Sequence, residues 1–204
     1  MFYRSRLRRS VFLVLEHQMD KPRKYPGRLP GDLSKDDLIA RMIRVDQAGE
    51  YGAKRIYDGQ LAVLGGSPDE PVLREMAETE KHHLETFNKL MVSRRVRPTA
   101  LAPLWHLAGF ALGAGTALIG REAAMACTVA VEEVIEEHYA DQAVQLATED
   151  EPELLATVER FRDEEIEHKE TALAEGAREA PAYPLLSAAV KSGSRLAIWL
   201  SERV

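Results

Sequence analysis

Several features that mark other protein classes are scarce or missing in this sequence. Its single cysteine, Cys127, cannot form an internal disulfide, and no C-x-x-C pair is present, so we expect a reducing compartment. The net charge of −6 lacks the basic excess of nucleic-acid-binding proteins, which predicts no nucleic-acid partner. The pattern G-x-G-x-x-G of a dinucleotide-binding fold is also missing from the sequence.

Strand signals are nearly absent as well, whereas long segments without proline follow a helical periodicity. Ser34 and Asp37 form a capping box that predicts the start of a first helix. Ser67 followed by Pro68 predicts the N-cap and first position of a second helix, and Pro181 should end the fourth. The four helices are expected at about 34–64, 67–92, 121–148 and 151–180.

The connections between these helices are unequal in length. Short connections join the first helix to the second and the third to the fourth, so each pair should be antiparallel. A long apolar stretch, 94–120, separates the second helix from the third. We therefore predict an all-α protein, a ferritin-like four-helix bundle with a long apolar crossover between helices two and three and an extra C-terminal amphipathic helix.

The N-terminal segment, residues 1–33, differs from this bundle domain, residues 34–204. Four arginines precede its first acid, Glu16, and a stretch rich in proline and glycine follows. A mitochondrial presequence, an arm attracted to anionic lipid and a disordered tail all fit this pattern. We expect a disordered tail, because the proline-rich part cannot continue a helix.

The motif Glu-x-x-His occurs in two of the predicted helices. Glu165 and His168 lie in the fourth helix, and Glu80 and His83 lie in the second. Residues three apart share one face of an α-helix, so each pair can point at a common metal ion. Di-metal carboxylate bundles combine two such motifs with one glutamate from each of the other two helices.

The first and third helices provide suitable single glutamates. Glu50 is the only glutamate of the first helix, and Glu132 follows an uncharged apolar run in the third. The two glycines beside Glu50 are expected where backbones approach closely around a site. Tyr57 and Tyr139 each lie seven residues after one of these glutamates, almost on its helix face. Each half of the chain thus contributes Glu, Tyr and Glu-x-x-His, which predicts a metal site rather than solvated charge. Tyr57 and Tyr139 are expected to serve in catalysis or electron transfer at this site.

Other polar residues near these motifs receive separate predictions. His82 should face solvent, and His138 should lie beside the site, either supporting it or carrying electrons. Asp46, one turn before Glu50, should accept the free N–H of a ligating histidine. Surface charge is expected of Glu78, Glu85, Glu133, Glu137, Glu164 and Glu167.

Carboxylate and imidazole donors without a thiolate suit iron or manganese. Two ferrous ions that share carboxylates and remain open to O₂ favour oxygen chemistry. Ferroxidases, peroxide-scavenging bundles, ribonucleotide-reductase subunits and hydroxylases all have sites of this kind.

Two apolar segments favour a lipid-soluble substrate. Residues 101–119 carry no formal charge but contain proline and several glycines, which favours an interfacial or re-entrant segment over burial in the protein. Residues 183–204 mix apolar side chains with Lys191, Arg195 and Trp199, as in helices that lie on a membrane surface. Packing on the bundle is the alternative for this second segment.

A family resemblance is carried by the segments RVDQAGEYGAKRIYDGQLAVL, EKHHLETFNKLM, AMACTVAVEE, FRDEEIEH and RLAIWLSERV. They resemble the demethoxyubiquinone hydroxylases of ubiquinone biosynthesis, and the likeness covers about 38–204. The resemblance implies a ferritin-like di-iron monooxygenase that hydroxylates the ring of a polyprenyl demethoxyubiquinol with O₂ and electrons from NADH. The metal ligands that it implies are Glu50, Glu80, His83, Glu132, Glu165 and His168.

The resemblance also implies that Glu80 and Glu165 bridge the two irons and that His138 and Tyr139 pass electrons. Where relatives carry a first histidine before this pair, the present chain has Glu137. A peripheral protein on the cytoplasmic face of a bacterial inner membrane fits, and so does the matrix side of the mitochondrial inner membrane. The rivals are a soluble ferroxidase or peroxidase, and a scaffold for other quinone-biosynthesis proteins. A homo-oligomer is also compatible with the sequence.

Overall fold

The computed structural model describes Arg28 and residues 30–204. Within them the chain is all-α, as predicted, with one short 3₁₀ helix at Ala177–Glu179. The α-helices are α1 (Lys35–Leu64), α2 (Glu70–Arg94), α3 (Ala102–Ile119), α4 (Arg121–Leu146), α5 (Pro152–Ala174) and α6 (Tyr183–Ser201). The four predicted bundle helices are α1, α2, α4 and α5. Most of the N-terminal segment that we predict to be disordered lies outside the described residues.

The start of α1 follows the predicted capping box, whereas the start of α2 does not follow its predicted cap. The backbone N–H of Asp37 donates to Ser34 Oγ at 3.1 Å, and the Ser34 hydroxyl donates to the Asp37 carboxylate at 2.6 Å. In α2 the N-cap is Asp69 rather than Ser67, and the proline in the first turn is Pro71 rather than Pro68. Ser67 accepts the Asp69 N–H at 3.2 Å instead. Its hydroxyl thus stabilises the preceding turn, and the helix begins later.

The end of α5 also corrects the sequence prediction. The helix ends at Ala174, although no proline lies between Pro152 at its start and Pro181. Gly176 adopts a φ of +88°, a left-handed conformation that glycine adopts without strain and that commonly terminates helices. α4 ends at Leu146, within the about 2 residues by which helix boundaries vary.

Two antiparallel hairpins form the bundle, as the short connections predicted. Gln47, in the first half of α1, donates to Asn88 late in α2 at 3.1 Å. Tyr57, in the second half of α1, contacts Met76 early in α2. The two helices therefore run in opposite directions. α4 and α5 form the second hairpin across the short connection 147–151.

Most of the crossover forms one continuous helix, α3, despite its proline and glycines. Pro103 lies in the first turn, where proline is compatible with a helix. A Cβ atom added at Gly109 would lie 2.8 Å from the Gly52 carbonyl oxygen, and one added at Gly113 would overlap the Ile56 carbonyl oxygen. Because these contacts advance together in both helices, α3 runs parallel to α1 with the two backbones in close contact.

The described residues cover only one face of α3. Among the described residues it is the one helix that is long and apolar enough to cross a membrane by length and composition, and 17% of it is buried. Its outer face exposes Leu104, Leu107, Leu118 and Ile119. The helix is thus a partly covered layer on α1, and its interaction with a membrane stays a prediction.

The predicted C-terminal helix is confirmed as α6, and it packs along α4. Lys191 pairs with Glu133, and Arg195 pairs with Glu137 at 2.8 Å, so α6 and α4 run parallel. These two glutamates, predicted as surface charges, therefore also hold α6 in place. Each half of the chain consists of an antiparallel hairpin followed by a third helix parallel to the first, which extends the internal symmetry to all six helices.

Apolar clusters fill the bundle on both sides of its middle. One cluster includes Ile43, Phe87 and Phe161, from the early parts of α1 and α5 and the late part of α2. The other includes Leu73 and Met125, from the early parts of α2 and α4. Between these clusters lies the middle segment of every bundle helix, where the predicted metal ligands are found.

Candidate metal centre

The middle of the bundle contains buried acids and histidines rather than apolar side chains. Each of these residues is at most 6% exposed, although burying an isolated charge is costly. They are the six residues expected to bind metal, Glu50, Glu80, His83, Glu132, Glu165 and His168. The structure therefore brings all six together, one or two from each bundle helix.

The six side chains form two overlapping groups, in which one donor atom of each residue lies within 4.8 Å of the others. Glu80 and Glu165 belong to both groups. Glu50 and His83 complete the first group, which we call the Glu50 position, and Glu132 and His168 complete the second, the Glu132 position. Two cations bound here would share the two common carboxylates as bridges, while each position would keep one glutamate and one histidine of its own.

The donor atoms lack the hydrogen-bond partners that buried polar atoms normally have. Among the described residues, the unpartnered buried atoms include both carboxylate oxygens of Glu80 and Glu165, Oε2 of Glu50 and Glu132, and Nδ1 of both histidines. Four carboxylates carry four negative charges, which two divalent cations would balance. Oxygen and imidazole donors without a thiolate suit iron or manganese. The residues therefore fit a pair of such ions.

The electrostatics of the cluster favour positive charge. Burial raises the pKa of Glu80 and Glu132 well above the usual range, and repulsion from Glu165 adds to this effect. Burial alone would lower the pKa of the two histidines. The glutamates around them outweigh it, raising the pKa of His83 to about 12 and that of His168 to about 10. Burial alone would raise the pKa of Glu165, but hydrogen bonds from His168 and His83 lower it, so the cluster holds its positive charge on the two imidazoles.

Each single glutamate is held by the tyrosine of the other half of the chain. The Tyr57 hydroxyl of α1 donates to Glu132 Oε1 of α4 at 3.0 Å, and the Tyr139 hydroxyl of α4 donates to Glu50 Oε1 of α1. The seven-residue spacing correctly places the tyrosines on the site's side of their helices. Because α1 and α4 are antiparallel, however, each tyrosine meets the opposite helix's glutamate.

Glu164 contacts His83, which shows that the predictions for Glu164 and for Asp46 were wrong. Nε2 of His83 lies 2.5 Å from Glu164 Oε2, while Nδ1 lies 3.1 Å from Glu165 Oε1. Glu164 was expected to be surface charge, but its side chain is only 33% exposed and reaches inward. Asp46 was expected to bind a ligating histidine and does not. The only sequence feature that could have indicated this role for Glu164 is its position next to a Glu-x-x-His motif. That position does not show which way the Glu164 side chain points, because it does not give the rotation of α5 about its axis.

Asp46 binds His138 rather than a predicted ligand. Its Oδ1 lies 3.1 Å from His138 Nε2 and accepts a 2.7 Å hydrogen bond from the Gln142 amide. Burial raises the pKa of Asp46, although His138 partly opposes this. Gln142 was not predicted from the sequence, where its position one turn after His138 was the only indication of this contact. The prediction that His82 faces solvent is confirmed, because this residue is exposed. The predicted surface charges Glu78, Glu85 and Glu167 are exposed as well.

A cavity of about 400 Å³ reaches the Glu50 side of the cluster, between α1, α3, α4 and α6. Its walls are mainly apolar, with Ile56, Leu112 and Ile135 among them, and its polar lining includes His138 and Tyr139. The ring N–H of Trp105 in α3 donates to the Ser201 hydroxyl of α6 at 3.1 Å and links two of the walls. The cavity is therefore an apolar chamber with polar groups at its inner end.

The glycines beside Glu50 leave space in the cavity, and the backbone of Gly52 also lies in the close contact with Gly109 of α3 that was expected of them. A Cβ atom at Gly49 or Gly52 would meet nothing within 4 Å, and both residues line the cavity. Along the same contact, a Cβ atom added at Gly59, Gly109 or Gly113 would collide with the backbone of the facing helix.

The comparison with known families matches residues 37–201 to the family described as "Ubiquinone biosynthesis protein COQ7", which is most of the chain. The chain belongs to the COQ7 family. This confirms the resemblance that the sequence motifs carry. The COQ7 match covers all six α-helices except the first two residues of α1.

Relatives of this COQ7-family chain carry closely related names. "3-demethoxyubiquinol 3-hydroxylase" of Rhodospirillum rubrum is 61% identical over 178 residues, covering 87% of this chain and 84% of that protein. "NADPH-dependent 3-demethoxyubiquinone 3-hydroxylase, mitochondrial" of Homo sapiens is 56% identical over 169 residues, covering 81% and 78%. "5-demethoxyubiquinone hydroxylase, mitochondrial" of Saccharomyces cerevisiae is 42% identical over 215 residues, covering 96% and 92%.

Proposed function

We propose that this COQ7-family protein is a di-iron monooxygenase that hydroxylates the ring of a polyprenyl demethoxyubiquinol in ubiquinone biosynthesis. The observation that carries the proposal is a pair of donor groups that share Glu80 and Glu165 and border an apolar cavity. The names of the relatives support the reaction. The oxygen and imidazole donors support iron as the metal.

Bound iron would supply the electrons that O₂ needs before one of its atoms can enter the quinol ring. Glu80 and Glu165 would hold both ions, and the remaining four residues of the cluster would complete the two positions. Tyr57 and Tyr139 fix one oxygen of each single glutamate, and the other oxygen, which has no hydrogen-bond partner, would bind a cation. The apolar clusters on both sides exclude water from the reacting groups.

The quinol ring would bind at the inner end of the cavity, beside Glu50 and Tyr139. The apolar walls would exclude water from the ring and hold it by burial of its surface. The prenyl tail would leave between α3 and α6, because both helices line the cavity and carry exposed apolar side chains. Only a substrate with both a polar ring and a lipid tail uses all of these features.

Electrons would enter by way of His138 and Tyr139, supplied by a nicotinamide donor, NADH or NADPH. His138 also borders a small polar pocket that contains Arg41. On its other side it contacts Asp46, and the next residue, Tyr139, reaches Glu50. Tyr57 does not line the cavity and contacts Met76, so we assign it the positioning of Glu132.

The outer faces of α3 and α6 would bind the membrane that holds the substrate. They expose large apolar side chains that include Leu107, Leu118, Leu196 and Trp199. We place the protein as a peripheral protein on the cytoplasmic face of a bacterial inner membrane or on the matrix side of the mitochondrial inner membrane. The same apolar surface offers a contact for other quinone-biosynthesis proteins.

The test uses full-length protein loaded anaerobically with Fe²⁺ and given O₂, a nicotinamide donor and a short-tailed demethoxyubiquinol. Mass spectrometry should find the quinol with one oxygen atom added. Glu165→Gln should lose both bound iron and product, because both metal positions depend on this carboxylate. Glu167→Gln, in an exposed position of the same helix, should retain both.

Other outcomes would favour the rival functions. Consumption of Fe²⁺ or H₂O₂ without a hydroxylated quinol would indicate a ferroxidase or a peroxidase. Quinone production in cells that survives Glu165→Gln would indicate a scaffold whose metal is structural. Either result would overturn the proposed monooxygenase.

A further inference from the structure

The two histidines of the cluster differ in what holds the ring nitrogen that faces away from the metal positions. His83 Nε2 contacts the Glu164 carboxylate at 2.5 Å. His168 points Nδ1 at Glu80 and Glu165, at 3.1 and 3.4 Å. In residues 30–204 no side chain hydrogen-bonds to its Nε2. The halves of the chain are therefore alike in their donors but unlike in the support of their imidazoles.

The internal symmetry of the chain locates this difference at one pair of positions. Glu164 immediately precedes the Glu-x-x-His motif of α5, and the residue that precedes the motif of α2 is Thr79. The Thr79 hydroxyl donates to the Glu75 carbonyl oxygen of its own helix at 3.3 Å. A carboxylate thus reaches across to the other half from α5, whereas the corresponding hydroxyl of α2 stays on its own helix.

We propose that Glu164 is a positioning residue that makes the Glu50 position bind a divalent cation more tightly than the Glu132 position. This inference rests on the proposed metal centre. A carboxylate that accepts a hydrogen bond from Nε2–H fixes the imidazole tautomer, so that the Nδ1 lone pair faces the metal, and it increases the basicity of the ring. It also restricts rotation of the ring, which lies stacked on Phe161 at 3.8 Å between ring centroids.

The proposal predicts the order in which the positions fill. Partners of this kind change metal affinity by about 10- to 100-fold. The Glu50 position, next to the cavity, should therefore fill first, and the Glu132 position should fill second. Replacing Glu164 should remove this advantage without removing any of the donor atoms that would contact the cation.

The experiment titrates metal-free full-length protein anaerobically with Co²⁺, followed by the visible absorption of the bound ion. Wild-type protein should bind two ions per chain in two unequal steps. Glu164→Thr, which installs the residue of the symmetry-related position, should weaken the tighter step by about 10- to 100-fold and leave the weaker step nearly unchanged. Glu167→Thr is the matched control, because its exposed position on α5 should leave both steps unchanged.

A second variant separates positioning from folding. Glu164→Gln keeps an oxygen that can accept a hydrogen bond from His83 Nε2–H but removes the charge, so its tighter step should lie between those of wild type and Glu164→Thr. Unchanged isotherms in both Glu164 variants, or equal weakening of both steps, would overturn the inference. If the wild-type protein binds no Co²⁺, the metal centre itself fails, which is distinct from the failure of Glu164 alone.

Discussion

Tyr57 donates its hydroxyl hydrogen to Glu132 across the bundle, from α1 to α4, at 3.0 Å. The reciprocal bond runs from Tyr139 of α4 to Glu50 of α1. Each bond satisfies one oxygen of a buried carboxylate and leaves the other directed at the cluster. The two halves of the chain are therefore tied together at the residues that would bind metal, so the site and the packing of the halves depend on each other.

Removing either tyrosine hydroxyl should destabilise the fold. Tyr57→Phe and Tyr139→Phe each leave a buried carboxylate oxygen without a donor, which should cost about 1–3 kcal/mol. Urea unfolding of metal-free protein measures this loss. Hydroxylation per bound iron should separate the two variants, because Tyr139 lines the cavity and Tyr57 does not. We expect Tyr57→Phe to keep most of its turnover and Tyr139→Phe to lose more than about tenfold. Equal turnover in both variants would contradict the assigned roles.

Adding one methyl group at the contact between α1 and α3 should force the helices apart. In Gly113→Ala the new Cβ overlaps the Ile56 carbonyl oxygen, which cannot move without α1. We expect a loss of about 1–3 kcal/mol or more in the free energy of unfolding. Gly115→Ala on the same helix meets nothing within 4 Å and should instead gain up to about 1 kcal/mol from helix propensity. Thermal unfolding of both variants checks the opposite signs.

Filling the cavity should impair use of the quinol without removing metal. Ala197 of α6 lines the cavity, and Ala197→Phe would place an aromatic ring in it. We expect kcat/KM for a demethoxyubiquinol to fall by about tenfold or more, with two irons still bound per chain. Leu196→Phe introduces the same ring at the adjacent exposed position and should leave kcat/KM unchanged. Unimpaired activity of Ala197→Phe would place the quinol elsewhere.

Charges on the outer face of α3 should weaken membrane binding. Leu107 and Leu118 are 68% and 75% exposed on this helix. Replacing both by glutamate should lower the fraction of protein that floats with phospholipid vesicles by about tenfold or more, because buried charge opposes insertion into the apolar interface. Val92 of α2 is 81% exposed, and Val92→Glu is the control for added negative charge. Equal flotation of all three proteins would argue against membrane contact through α3.

The ion pairs at the start of α5 should make stability depend on pH in a defined direction. Glu151 contacts Arg94 at 2.8 Å and Lys35 at 3.1 Å, and the hydrogen bond from Arg94 lowers its pKa below the ordinary value of 4.5. A group with a lowered pKa stabilises the fold above its unfolded pKa, and this contribution is lost as the pH falls through the folded pKa. Glu151→Gln should therefore lose up to about 1 kcal/mol at neutral pH.

The difference between Glu151→Gln and the wild type should shrink as the pH falls below 4.5. Urea unfolding across this range measures it. Glu159→Gln, an exposed position of the same helix, should follow the wild type at every pH. A difference that grows towards acid pH would contradict the ion-pair explanation.

Local patterns were sufficient for most of the helices. The capping box at Ser34 placed the start of α1, since the hydrogen bonds that make it lie within four residues of one another. The end of α5 was missed because it depends on the left-handed conformation of Gly176. Glycine permits this conformation without requiring it, and the surrounding packing selects it. The continuous helix across the glycines of the crossover was missed for a related reason, because packing on α1 compensates for their low helix propensity.

The donors of the candidate metal centre followed from the sequence, but their partners did not. The spacing of Glu-x-x-His determines that Glu80 and His83 share a helix face, whatever that face contacts. The carboxylate that reaches His83 depends on the rotation of α5 about its axis, so Glu164 could not be distinguished from its neighbours. The contact of Asp46 with His138 likewise depends on how the helices are rotated and packed, so it could not be predicted either.

By itself, the sequence determined the all-α fold class, the two symmetric halves and the six residues of the cluster, because helical periodicity links spacing to direction within one helix. The tertiary structure alone decided the crossed bonds from Tyr57 and Tyr139, the support of one histidine by Glu164, and the cavity between four helices. These features join residues on different helices. Their geometry depends on how the helices pack against one another, which the spacing within any one helix does not specify.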